Sequence, residues 1–520
     1  MKNMKRYKIF AIAALAAMTV SCGEDFLTTH STQQGEAGGA ATEGAILSYL
    51  ASSYQPLTFD SYANFNYNEV FLLSDMRSDD LYKGGGDASD QGWMYHLSLF
   101  QIPASESPSG LWSIYFTGIA RANNTLLACA NAVGFDSDVA KQRLAGYQAE
   151  AYFLRAYYYH LLWKFYGNIP YFTEPLPEPF MAVQQTADQI YGHIMDDIAE
   201  AEKVAASAGP YFAMNNNGDK ENEARANLAA LYMLKARVVM YQKDQAKYNE
   251  VASDMAKIIA EPSYALMDNF DDIWLDENEF CSESIFESNQ GSDGSRDWGN
   301  AWAGLGTNLP AFISPNDLKD PSGVFRGGWG FGPVRQAAWD MYEEGDVRRE
   351  GSINSFPDGS YGPRFQNTGL FQKKYAAREA YVAPVGTVDL NYPNNLRIFR
   401  FAETLLNYAE LVGVLGASAS GPSAQDCLDQ IRARAGVASI PVTLENIKSE
   451  RRKEFLGEGM RFWDLIRWGD AKNVLTENDA AHNSVRTFNP EKDKWVPIPQ
   501  SEMSRTAGTG EYELKQNPGY

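Results

Sequence analysis

The chain has 520 residues, of which 44% are hydrophobic and 21% charged, a composition typical of a globular protein. Its formal net charge of −21 argues against nucleic-acid binding, because phosphate contacts need clustered Lys and Arg. Aromatic residues make up 13% of the chain, which indicates a Tyr-rich core, exposed aromatic binding surfaces, or both.

The first residues follow the pattern of an export signal. The chain begins with a basic segment, which is followed by an apolar run and then by a group of small residues. The apolar run is too short to span a bilayer. The stretch from Thr19 to Cys22 resembles a bacterial lipobox, with Thr19 where Leu is usual. We therefore expect a lipoprotein signal peptide over 1–21, lipidation of Cys22, and a polar, Gly-rich tether over 22–44. The alternative is ordinary signal cleavage near Ser21 with an unmodified Cys22.

Helical periodicity then dominates the chain. Residues 148–165 carry apolar side chains at helical spacing, and Ile190, Ile194 and Ile198 recur every four residues behind Thr186, a candidate N-cap. A further pair of helices is predicted at 223–242 and 247–261, separated by a short polar turn.

Consecutive helical pairs of this kind are typical of tetratricopeptide units. We predict a mostly α fold, with a tetratricopeptide-like helical-pair scaffold and a long loop-rich insertion that contains short strands. Residues 45–520 are expected to form one domain, in which the scaffold occupies about 45–267 and 396–475. The insertion, rich in Gly, Trp, Asn and Pro, occupies about 268–395.

A stretch near the C-terminus, residues 449–470, sets Glu454 and Glu458 among several Arg residues. Paired carboxylates suggest glycosidase chemistry when they face one sugar across a cleft. The alternating charges favour an ion-paired ladder on one packed helix instead, since a neighbouring cation lowers a carboxyl pKa. Gly457 and Gly459 are costly inside a helix, so we predict that another segment crosses closely there.

Metal and phosphate motifs are weak in this sequence. The five His residues lack ligand spacing, and the acidic stretch 268–279 lacks the Gly of a calcium loop. The Gly-rich stretch 83–92 is not followed by the Lys and Ser or Thr of a phosphate-binding loop. We expect no metal and no cofactor.

Sugar recognition requires aromatic faces for stacking and planar polar side chains for the hydroxyls. One candidate region combines Arg77 and Asp79 with Trp93 and Tyr95, and its alternative role is a loop held by a buried Trp93.

The second candidate region lies in the insertion and combines two Trp residues with polar neighbours. Its candidate ligand contacts are Trp298, Trp302, Asp297 and Asn300. Trp329 is a weaker candidate, because the Gly-rich turn around it also fits a structural role.

Five blocks of the sequence, at 150–171, 396–410, 450–469, 495–503 and 516–520, resemble the signature blocks of the SusD/RagB family and occur in the family's order. This resemblance implies a non-catalytic lipoprotein exposed on the surface of a Bacteroidetes-like outer membrane. Such proteins capture oligosaccharide or polysaccharide for a SusC-like TonB-dependent transporter. Two alternatives stay open: peptide capture, as in RagB-like members, and a hydrolase built on the carboxylate pair.

Overall fold

The computed structural model describes residues 38–299 and 304–520. The predicted signal peptide, Cys22 and most of the tether lie outside the described residues. The α-helices are α1 (Glu43–Tyr54), α2 (Val70–Asp75), α3 (Gly92–Ser98), α4 (Ser109–Ala130), α5 (Asp138–Tyr166), α6 (Ala187–Ala208), α7 (Leu228–Gln242), α8 (Tyr248–Ile259), α9 (Leu309–Ile313), α10 (Gln336–Asp340), α11 (Arg348–Ser352), α12 (Phe401–Gly413), α13 (Ala424–Arg434), α14 (Leu444–Glu454), α15 (Arg461–Trp468), α16 (Ala471–Leu475) and α17 (Gln500–Thr506).

The strands are short and pair antiparallel in twos. They are β1 (Tyr62–Ala63), β2 (Asn66–Tyr67), β3 (Ile169–Pro170), β4 (Gln184–Gln185), β5 (Ser284–Ser288), β6 (Ile353–Ser355), β7 (Leu370–Gln372), β8 (Leu396–Arg400), β9 (Glu477–Asp479) and β10 (Ser484–Arg486). The prediction of a mostly α fold with short strands is confirmed.

The helices pack as successive neighbours, as tetratricopeptide-like pairs do. Helix α5 contacts α4 on one side and α6 on the other, α7 packs against α6 and α8, and α12 packs against α8 and α13. Their facing side chains form one continuous apolar core. This scaffold holds the loops of the insertion in fixed positions.

Helix α6 illustrates how local sequence signals produce the scaffold. Thr186 and Gln189 form a reciprocal capping box at its start, which satisfies two otherwise unpaired backbone donors. Ile190, Ile194 and Ile198 are buried along the face that packs on its neighbours. The N-cap and the apolar stripe were both predicted from the sequence.

A strand near the start of the predicted insertion, 268–395, pairs with the strand that directly follows its end. Strand β5 pairs antiparallel with β8, so the chain leaves the scaffold and returns to it at the same place. Short bridges then join the insertion to the loop after α2, such as that between Gly84 and Phe331. These bridges place the loop after α2 directly beside the segment around Phe331.

The C-terminal stretch departs from the prediction of one continuous helix, which was wrong. Helix α14 ends at Glu454 and α15 starts at Arg461, because Gly457 and Gly459 adopt φ of +82° and +70°. L-residues rarely adopt these values, and a helix cannot pass through them. The predicted close crossing is confirmed: a Cβ on Gly459 would lie 2.8 Å from the Cα of Phe71.

Across residues 38–299 and 304–520, no helix combines the length and apolar character needed to cross a membrane. Within the same part of the chain, Cys129, Cys281 and Cys427 are free thiols.

Candidate functional site

Four aromatic side chains from three separate segments meet at one surface. The Trp298 ring lies 4.8 Å from Tyr62 and 6.0 Å from Trp329, between ring centroids, and Tyr67 lies 6.1 Å from Trp329. The buried ring of Phe312 supports them from below, 4.8 Å from both Tyr67 and Trp329. We call Tyr62, Tyr67, Trp298 and Trp329 the aromatic platform. Trp298 is 41% exposed and Tyr67 and Trp329 are partly exposed, whereas Tyr62 is buried beneath Trp298, so three of the four rings reach solvent.

The first segment of the platform is the β1–β2 hairpin, in which Tyr62 pairs directly with Tyr67. The base of the hairpin is closed by Asp60, whose carboxyl accepts a 2.6 Å hydrogen bond from the Val70 amide. Burial raises the pKa of Asp60 to about 7 and that of Glu69 to about 8. The base of the hairpin therefore contains two buried carboxyl groups whose pKa values burial raises into the neutral range or above it.

The second segment is the loop that carries Trp298, and Arg296 holds it in place. The buried guanidinium donates to the carbonyls of Tyr62 at 2.6 Å, Thr58 at 2.9 Å and Gly304 at 2.9 Å. Burial lowers the pKa of Arg296 to about 10. The amide of Asn391 also donates to the Arg296 carbonyl at 2.8 Å. The loop is thus fixed to the hairpin by the buried Arg296 side chain.

The third segment brings in Trp329. Its backbone amide donates to the Ala311 carbonyl at 2.7 Å, and its indole Nε1 donates to Asp389 at 3.1 Å. Gly328 permits this approach, because a Cβ there would lie 2.2 Å from the Ala311 carbonyl oxygen. Trp329 is therefore both anchored by its hydrogen bonds to Ala311 and Asp389 and part of the aromatic platform.

Of the residues proposed from the sequence, Trp298 and Trp329 come together, and Asp297 lies exposed on the same loop. The Asp297 carboxylate accepts a 2.6 Å hydrogen bond from the Gly299 amide. Trp302 and Asn300 lie outside the described residues.

Trp93 and Tyr95 lie on helix α3 and make other contacts. The half-buried Trp93 donates to the Gln91 side chain at 3.1 Å, whereas the Tyr95 hydroxyl donates to the Asn483 carbonyl at 2.7 Å. The Tyr95 ring also contacts Phe365 edge-on at 5.5 Å. These contacts support the alternative that the pair braces a loop, and the two remain proposals as ligand contacts.

Arg77 and Asp79 do not lie in the aromatic platform, and both side chains are engaged in contacts within the protein. The Arg77 guanidinium is buried 3.8 Å from the centre of the Phe462 ring and donates to the Asp493 carbonyl at 2.7 Å. Asp79 pairs with Arg461 at 2.8 Å and Arg452 at 2.9 Å. Both side chains are occupied in joining the N-terminal and C-terminal parts of the scaffold, a use that local sequence cannot reveal.

Sequence reasoning missed the hairpin residues. The segment Tyr62–Tyr67 alternates aromatic and Asn side chains, which is the composition of a sugar-contacting surface, yet it was passed over. The stretch "YANFNYN" contains more aromatic and amide side chains than a two-residue hairpin turn requires, and this excess could have identified it as a binding surface.

The carboxylates near the C-terminus are ion-paired, as predicted, although their partners come from distant elements. Glu454 contacts Arg434 at 2.6 Å and Arg348 and Arg400 at 3.2 Å each. Burial alone would raise the pKa of Glu454, but these cations hold it well below the ordinary value. Glu458 contacts Lys374 at 2.6 Å and Arg400 at 2.8 Å.

One group of carboxylates in the described residues has the spacing of metal ligands: Glu202, Glu250 and Asp254. The ammonium of Lys235 lies among them, 2.7 Å from both Glu carboxylates and 2.5 Å from Asp254. The ammonium group already occupies the position among these oxygens that a metal ion would take, so the group does not fit a metal ion.

Comparison with known proteins agrees with this architecture. The family model described as "SusD family" matches residues 214–520, and the model described as "Starch-binding associating with outer membrane" matches residues 53–218. Surface glycan-binding protein A from Bacteroides fluxus is 62% identical, with a TM-score of 0.86 over 92% of this chain and 100% of that one.

Two further structures show the same similarity. Surface glycan-binding protein A from Bacteroides thetaiotaomicron, solved with laminarihexaose, is 36% identical, with a TM-score of 0.83 over 92% of this chain and 100% of that one. A laminarin-binding SusD-like protein is 30% identical, with a TM-score of 0.79 over the same shares. The fold, the two matching family models and these relatives together make the chain a member of the SusD family.

Proposed function

We propose that the protein binds glycan on the aromatic platform. The observation that carries the proposal is the meeting of Tyr67, Trp298 and Trp329 at a surface where Trp298 is 41% exposed. Sugar rings present an apolar CH face that stacks on such rings, and polar side chains at the edge bind the hydroxyls. Asp297 and Asp389 supply carboxylates beside the platform.

The ligand class we propose is a laminarin-type β-1,3-glucan. Support comes from the relative solved with laminarihexaose and from the relative named as laminarin-binding, both at least 30% identical over nearly the whole chain. Peptide capture, the alternative suggested by RagB, is not favoured, since these relatives are named for glycans.

We further propose that the protein is not a hydrolase. The carboxylate pair that suggested one is buried, and Glu454 and Glu458 share Arg400 as a cation. A carboxyl held ionised by several cations is a poor general acid. Supplying laminarin to purified protein should therefore release no reducing sugar.

Delivery to a transporter and anchoring to the membrane complete the proposal. Family membership supports a SusC-like TonB-dependent partner, and the lipobox-like sequence supports a lipid on Cys22 with residues 1–21 removed. Cys22→Ala should move the protein from the outer-membrane fraction to the soluble fraction. A tagged protein should copurify with a TonB-dependent transporter from detergent extracts of its own cell envelope.

The binding proposal is tested by native electrophoresis in gels containing laminarin, starch, mannan or pectin. Laminarin should retard the protein, and the other glycans should retard it less. Migration that no glycan alters would contradict the proposal. Copurification of defined peptides, together with that result, would establish peptide capture instead.

A further inference from the structure

The tip of the β1–β2 hairpin presents an unusual side chain. Phe65 is 64% exposed, the largest fraction among the large hydrophobic side chains exposed in the described residues. Aromatic side chains normally bury most of their surface, so an isolated exposed ring has no evident role in folding. It belongs to the hairpin that carries Tyr62 and Tyr67 of the platform, which gives the ring a place in binding.

The backbone at the tip is strained in a way that Phe does not favour. Asn64 and Phe65 have φ of +50° and +57°, the left-handed values of a two-residue hairpin turn. Asn tolerates this conformation, and Gly is favoured at the second position, whereas a bulky side chain there is an outlier. Strain that persists at an exposed position, where Gly would relieve it, points to a use for the ring.

Side-chain amides hold the tip rigidly in this conformation. Asn64 donates to the Ser113 hydroxyl on helix α4 at 2.8 Å, and Asn66 donates to the Asn64 carbonyl at 2.6 Å. The Asn68 amide lies 3.0 Å from the carbonyls of both Ala63 and Asn66. The backbone of the turn that carries Phe65 is therefore held in place by hydrogen bonds, which lowers the entropic cost of a contact made there.

The ring lies on the same hairpin as two members of the platform. Phe65 precedes Tyr67 by two residues and lies in the turn that joins β1 to β2. A chain of sugars that stacks on Trp298, which contacts both hairpin tyrosines, lies against the hairpin whose turn carries Phe65. We propose that Phe65 is a ligand-contacting residue that extends the platform and strengthens the binding of longer glucan chains. This inference rests on the proposed function.

The test uses calorimetric titration with laminarihexaose and compares four variants with the parent protein. Phe65→Gly removes the ring and relieves the backbone strain, so it separates binding from folding. Phe65→Trp keeps an aromatic face. Val139→Ala removes an apolar side chain that is 51% exposed at the start of helix α5, as a control for exposed apolar surface. Trp298→Ala tests the platform itself.

We expect Phe65→Gly to weaken binding at least about tenfold, while its melting temperature stays equal to or above that of the parent protein. Phe65→Trp and Val139→Ala should bind within about threefold of it. Phe65→Gly binding within about twofold of the parent protein, while Trp298→Ala binds weakly, would overturn the inference alone. Unchanged binding by Trp298→Ala would instead count against the platform of the proposed function.

Discussion

The Arg296 guanidinium donates a 2.6 Å hydrogen bond to the main-chain carbonyl of Tyr62, 234 positions away in the sequence. This bond ties the loop that carries Trp298 to the hairpin that carries Tyr62 and Tyr67. The platform is therefore one preorganised unit, although its members belong to distant segments. Preorganisation of this kind reduces the cost of binding.

Replacing Arg296 tests this coupling. Arg296→Met keeps much of the side-chain volume and leaves the carbonyls of Tyr62, Thr58 and Gly304 without their donor. We expect the free energy of unfolding in urea to fall by about 2–4 kcal/mol, because buried acceptors lose their partners. Binding of laminarihexaose should weaken although Arg296 is buried away from solvent. Unchanged stability and affinity would show that the loop holds its position without this side chain.

Gly459 provides a test of the crossing near the C-terminus. Gly459→Ala imposes both a positive φ of +70° and a Cβ 2.8 Å from the Phe71 Cα, so we expect a loss of about 3 kcal/mol or more. Gly469→Ala is the matched control, since φ is +82° there and nothing lies within 4 Å of the added Cβ. It should cost only about 1 kcal/mol in urea unfolding. Equal losses for the two variants would mean that Phe71 moves aside freely.

The buried carboxyl of Glu69 makes stability depend on pH. Its pKa is about 8 when folded, raised by burial, while an unfolded Glu titrates near 4.3. Between these values the folded state binds the extra proton, so the free energy of unfolding falls as pH rises. Glu69→Gln removes this titration. The variant should be more stable than the parent protein by roughly 1–3 kcal/mol at about pH 8.5, and nearly equal at about pH 5. A difference that does not change with pH would contradict the assignment.

Removing Arg400, the cation shared by several buried ion pairs, should lower the free energy of unfolding. Arg400 contacts Glu283 at 2.5 Å, Glu454 at 3.2 Å and Glu458 at 2.8 Å. Arg400→Met leaves these carboxylates undercompensated, and we expect a loss of about 3–5 kcal/mol in chemical denaturation. Lys203→Met, which breaks an exposed pair with Glu200, should cost less than about 1 kcal/mol. Similar effects of the two substitutions would indicate that the buried cluster is hydrated.

Much of the scaffold could be predicted because its signals are local. The cap at Thr186 and the stripe of Ile190, Ile194 and Ile198 depend only on neighbours within a few turns. The prediction of one continuous helix through Gly457 and Gly459 was wrong. The apolar spacing of this stretch is typical of a helix, but both glycines adopt positive φ values that a helix does not allow.

The site was predicted in part, for the same physical reason. Trp298 was found from its polar, Gly-rich surroundings, but its partnership with Tyr62 and Tyr67 depends on a fold that joins residues far apart. Arg77 is a residue type that often binds sugar hydroxyls, but its side chain is buried beside Phe462. Charge and aromatic content identify candidate residues, whereas burial decides which of them a ligand can reach.

We propose that the aromatic platform binds a β-1,3-glucan. The most direct test is calorimetric titration of laminarihexaose into the parent protein, Trp298→Ala and Trp329→Ala, with folding of each variant verified by its melting curve. We expect measurable binding by the parent protein and a loss of at least about tenfold in each variant. Parent-like affinity in both folded variants would contradict the claim.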